Sequence, residues 1–165
     1  MMKRLILILI FITGFIVPAQ NKSVKKSELK RIFRKSIDQE SRRRVSTLSN
    51  PWVINNTDSL YFKADTIKLI NIKKKYKLPF CKKINWSFFR KDKFHLVDSQ
   101  SCKEPSTAKI GTALNRYWVK IKKTDIGLIL TTHNISGVVD QFLVISINQN
   151  VYVDEILLKR IKKKF

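Results

Sequence analysis

The chain has 165 residues, with 34 Lys and Arg against 12 Asp and Glu, a formal charge of +22, and only two cysteines and two histidines. That length favours one domain with one core. The composition offers no His-x-x-x-His, no Cys-x-x-Cys and no glycine-rich phosphate loop, so metal and nucleotide chemistry are not expected. The charge directs attention to anionic surfaces instead.

The first segment reads as a secretory signal peptide. Lys3 and Arg4 supply a positive start, Leu5 to Ile16 is almost wholly apolar, and Val17 and Ala19 are small enough for signal peptidase, which places the cut after Ala19. The apolar run is shorter than the ~20 residues that span a bilayer as a helix. The organisation expected is therefore a signal peptide at 1–19, a basic helical segment at 20–49 and a β domain at 50–165, exported to the periplasm or beyond. In that setting Cys81 and Cys102 are expected as a disulfide.

Residues 20–49 are dense in Lys, Arg and Ser. Leu29, Ile32, Phe33 and Ile37 share one face of a helix, with Ser27 as its N-cap. Lys30, Arg31, Arg34 and Lys35 cover the other face, and Arg42, Arg43 and Arg44 follow. Such a helix either packs on the neighbouring sheet or docks on an anionic membrane.

From Asn50 the texture is that of strands separated by short turn signals. Trp52–Ile54, Leu60–Phe62, Thr66–Ile72, Ile84–Phe89 and Phe94–Val97 come first. Tyr117–Lys122, Ile126–Thr132, Val138–Ile147 and Val151–Ile161 follow, and Glu104–Pro105–Ser106 reads as a loop. Eight or nine short strands with no helical pattern between them predict an all-β fold. The expected form is an antiparallel up-and-down meander closed into a barrel, because closure removes exposed edges.

Three local features are similar to the lipocalin-like proteins, especially small secreted ones of Bacteroidetes type. They are Leu48-Ser49-Asn50-Pro51-Trp52-Val53-Ile54, the set Cys81, Trp86, Phe88 and Cys102, and the closing Glu155 to Arg160. The resemblance covers about residues 46–162. It implies a lipocalin-like barrel in which Arg160 packs across Trp52 and closes one end, a contact of about 0.5–2 kcal/mol for a guanidinium over an indole. Asn50 stands where the family has glycine. Gln20, directly after the expected cut, also resembles export signals of that phylum.

Tyr61, Phe88, Phe94, Tyr117, Phe142 and Tyr152 fall on the expected strands at alternating spacing. They either fill the barrel or line a cavity for a small, largely apolar ligand. Trp118 falls on the opposite face from Tyr117, among basic residues. His95 and His133 lie on separate elements, and a bridged cysteine is no nucleophile, so no catalytic residues, cofactor or metal site are expected. Two functions follow: a lipocalin-like carrier of a small hydrophobic ligand, or a cationic module binding anionic lipid or polysaccharide of the envelope. Export argues against nucleic acid. Ile, Lys and Asn are all abundant, so codon bias toward scattered, merely solubilising lysines stands beside the second function.

Overall fold

The structure, a computed structural model, describes residues 24–37, 50–74, 77–109 and 115–161. The expected signal peptide, most of the segment up to 49 (Arg42, Arg43 and Arg44 among it) and the last residues lie outside these. Helix α1 (Lys26–Lys35) comes first, followed by β1 (Trp52–Asn55) and a 3-10 turn at Thr57–Ser59 that leads into α2 (Leu60–Lys63). Then come β2 (Thr66–Ile72), β3 (Lys82–Arg90), β4 (Lys93–Gln100), β5 (Thr107–Lys109), β6 (Arg116–Thr124), β7 (Gly127–Asn134), β8 (Gly137–Gln149) and β9 (Val153–Arg160).

Alternation builds the wall. Along β3, Ile84, Trp86 and Phe88 point inward while their neighbours face out. The strands β3-β1-β2-β9-β8-β7-β6-β4 pair in that order, and β4 returns to β3, so eight antiparallel strands close a barrel with β5 outside against β4. The all-β, antiparallel, closed lipocalin-like barrel with a preceding helix is therefore present.

One connection departs from a sequential meander. β1 lies between β2 and β3, so it is β2 that closes against β9. β2 and β3, consecutive in the chain, are therefore joined by a connection that passes β1 rather than by a hairpin. Lys73 and Lys74 tether the start of this passage by donating backbone bonds to Tyr152 O. The Cys81–Cys102 disulfide, with Cα atoms 5.2 Å apart, holds its end beside the last residues of β4.

Three other expectations are corrected. Leu60–Phe62 is helical, because Asn55 and Asn56 turn the chain: Thr57 N–H donates to Asn55 Oδ1 at 2.9 Å and Tyr61 N–H to Asn56 Oδ1 at 3.3 Å. Asp58 and Ser59 take positive φ in the same turn. Tyr152 is not on the last strand: Asn150 Oδ1 accepts from the backbone of both Tyr152 and Val153 at 2.8 Å, which folds 150–152 into a loop. Helix α1 begins at Lys26 after Lys25, so Ser27 lies inside the helix and does not cap it.

The core lies along the barrel axis and extends into α1. Leu29, Ile32 and Phe33 belong to the same buried cluster as Trp52, Trp86, Phe88, Phe94 and Phe142. Phe33 stacks on Phe88 at 4.5 Å and meets Trp52 edge-on at 5.6 Å. Helix α1 thus stoppers one mouth of the barrel, and α2 lies at the other.

Candidate functional site

The mouth under α1 carries the candidate site. Burial of Leu29, Ile32 and Phe33 forces the basic face of α1 outward. Glu28 in its first turn and Arg34 and Lys35 in its last complement the helix dipole. Arg31 donates to Gln149 Oε1 at 3.0 Å, which joins the helix to the end of β8. The turn after β3 comes up beside it, fixed by a 2.7 Å bond from Val119 N–H to Asp92 O.

Between these parts lies a cleft of about 920 Å³. Ser27, Lys30, Arg31 and Arg34 line it from α1, Lys91 and Asp92 from the β3–β4 turn, and Val119 to Lys122 from β6. Asp92 is the one carboxylate among six cations. Such a lining suits phosphate, sulfate or carboxylate groups.

Register shows how uneven the charge is. This end also carries Lys73, Lys74, Arg90, Lys93 and Lys123 against Asp125 and Asp154, of which Asp154 pairs with Lys73 at 2.5 Å. The opposite end sets Lys63, Lys77, Lys82, Lys83, Lys103, Arg116, Lys159 and Arg160 against Asp58, Asp65, Asp98, Glu104 and Asp140, a smaller surplus of cations.

The residues expected to line a cavity are placed differently from one another. Phe88, Phe94, Phe142 and Tyr61 are buried and pack among themselves and Trp86: Trp86 stacks on Phe94 at 4.6 Å, and Phe88 lies 5.2 Å from Phe94. Tyr117 is half-buried, stacked on Phe94 at 5.3 Å. Tyr152 is 59% exposed in its loop. Burial, with the Asp140 charge behind it, raises the Tyr61 hydroxyl far above the phenol range, so it stays protonated.

Trp52 and Arg160 close different ends rather than packing together. Trp52 pairs with Trp86 on β3 and is level with Asn71 on β2, which pairs with Asp154 at the start of β9. Arg160 ends that strand, about 20 Å away at the usual rise. Its guanidinium lies 5.0 Å from the centre of the Phe142 ring and 5.8 Å from that of Tyr61. It also donates to Tyr61 O at 2.7 Å and pairs with Asp140. The rings that Arg160 covers thus come from α2 and β8, not from β1.

Trp118 lies on the outer wall, stacked on His133 at 5.8 Å. The pKa of His133 is lowered by burial and by Lys120, and that of His95 by burial and by Arg116. Both are therefore neutral at pH 7. Among the described residues no group of three His, Cys, Asp or Glu gathers as a metal site.

Fold and site together define a class: a closed eight-stranded barrel with one helix-stoppered, strongly cationic mouth. No family model, curated protein or solved structure matches the chain.

Proposed function

We propose that this is an exported, lipocalin-like barrel that binds an anionic envelope surface, lipid or polysaccharide, through its α1 end. The observation that carries this reading is the gathering of Lys30, Arg31, Arg34, Lys91, Lys120 and Lys122 round one cleft with Asp92 as its one carboxylate, while the other end mixes cations with five acids. Lysines scattered by composition alone would load both ends alike. Each cation near an anionic bilayer contributes about 1 kcal/mol, an attraction that fades within a Debye length of ~8–10 Å.

The test uses residues 20–165 with phosphatidylglycerol vesicles and, separately, dextran sulfate. Lys30→Gln/Arg31→Gln/Arg34→Gln should weaken binding by roughly 100-fold at low salt. Lys63→Gln/Lys82→Gln/Lys103→Gln should change it by less than about threefold, since those charges lie beyond the screening length. Equal losses from the two triples would defeat the proposal.

A second reading, a carrier of a small apolar ligand, is favoured by one observation. The fully buried Trp52 indole N–H has no acceptor among the described residues, and an unpaired buried donor costs about 1–3 kcal/mol. A small molecule with an acceptor on an apolar body would satisfy it. Native mass spectrometry of protein purified from its own cells should then reveal a retained species that denaturation releases. A bare protein mass would end this reading.

A further inference from the structure

The outer wall of β7, β8 and β9 carries a surface that the cleft does not use. Leu128, Leu130, Phe142, Val144, Ile156 and Leu158 point into the core, so the intervening Ile129, Leu143, Ile145 and Leu157 lie on the outer face, Ile145 exposed and the other three half-buried. Register sets them side by side. Ile129 is opposite Leu143, and the irregularity between Val144 and Ser146 brings Leu157 opposite Ser146, next to Ile145. Ile126, in the β6–β7 turn, prolongs the strip beyond the wall. It is 68% exposed, and Ile145 is 44% exposed.

Lysines bound this strip in the same rows. Lys122 on β6 is opposite Ile129, Lys159 on β9 is opposite Leu143, and Lys68 on β2 is opposite Leu157. Lys122 also lines the cleft, so strip and cleft form one continuous surface. A water-facing antiparallel sheet carries polar residues on its outer face, and grouped exposed apolar residues with a polar rim mark an interaction surface.

We propose that this wall docks on an anionic phospholipid bilayer: the isoleucine and leucine strip enters the headgroup–acyl boundary while Lys122 and Lys159 meet lipid phosphates and Lys68 stays paired with Glu155. Charge selects this occupant over a second copy of the chain, because pairing two such faces would bring like-charged rims together in a molecule of net charge +22. Apolar burial with flanking cations is the combination by which peripheral proteins lie in a membrane interface. The inference rests on the anionic-surface reading above and narrows its ligand to bilayer lipid.

The test places a reporter at the tip. In Ile126→Trp, brominated acyl chains in phosphatidylglycerol vesicles should quench and blue-shift emission beyond the wild-type background, which comes from half-buried Trp118 and from Trp52 and Trp86 in the core. In parallel, Leu143→Thr/Ile145→Thr should lose about tenfold or more in vesicle affinity and keep its affinity for dextran sulfate. An unquenched tip on bound vesicles, with affinity unaltered in the Thr variant, overturns the wall and leaves the cationic mouth standing. Wild-type protein that binds neither vesicles nor dextran sulfate overturns both. If the Thr variant fails to fold, quenching at position 126 decides alone.

Discussion

The two ends of the barrel are closed by different chemistry. At the α2 end the fold neutralises itself: Arg160 pairs with Asp140, donates to the Tyr61 carbonyl and covers the rings of Phe142 and Tyr61. At the α1 end the closure is apolar, through Leu29, Ile32 and Phe33, and the cations of the same helix face solvent around a cleft. Arg31 ties the helix to Gln149 and Arg34 and Lys35 complement its dipole, but like charges so close also repel one another. On the proposed reading the surplus is kept because this end meets an anionic surface.

The largest way to break this comparison is Phe33→Ala. The ring is fully buried between Phe88 and Trp52, and such a truncation costs about 3–5 kcal/mol. Urea unfolding should show that loss. Because α1 would loosen over the mouth, vesicle and dextran sulfate binding should weaken with it. A loss below about 1 kcal/mol would mean that α1 merely rests on the barrel, well short of the cost of emptying a core site.

Most of the wall was legible from alternation, because period two survives wherever one face is buried. Trp52–Ile54, Ile84–Phe89 and Tyr117–Lys122 all lie on the strands expected. The apolar stripe of α1 was legible for the same kind of reason, at helical period. What stayed hidden depends on contacts between distant residues. Leu60-Tyr61-Phe62 has strand composition, and only the side-chain bonds of Asn55 and Asn56 turn it into a helix. The exchange of β1 and β2 leaves no mark on either strand, since both orders alternate directions equally well.

The candidate site was legible by halves. The basic face of α1 is plain in the sequence, but its partner Lys91 is in a turn and Lys120 and Lys122 are on β6, and only barrel closure brings them together. The outer strip was masked by a run apolar on both faces: in Leu128-Ile129-Leu130 nothing local says which residue faces out. The expected contact of Trp52 with Arg160 failed because it presumed a strand where the 57–63 insertion supplies Tyr61 from a helix.

The smaller effect belongs to the α2 end, through Arg160→Ala. The side chains of Arg160 and Asp140 each keep 18% exposure, so the loss should be about 2–3 kcal/mol, below the ~3–5 kcal/mol of a fully buried pair left with one charge. Much of it comes from the Asp140 carboxylate losing its partner near the buried Tyr61, whose hydroxyl already responds to that charge. Arg160→Met/Asp140→Leu should therefore be more stable than Arg160→Ala, since it removes both charges and keeps apolar contact with Phe142. Vesicle and dextran sulfate affinity should be unchanged in both variants, because neither Arg160 nor Asp140 belongs to the cleft or to the outer strip. If instead the double variant is the less stable of the two, the pair is net stabilising, and the α2 end is held by charge rather than by the packing of Tyr61 and Phe142. If anion binding falls along with stability, the two ends are coupled through the ring stack Phe142–Trp86–Phe94–Phe88–Phe33 that runs between them, and the separation of structural and binding ends fails.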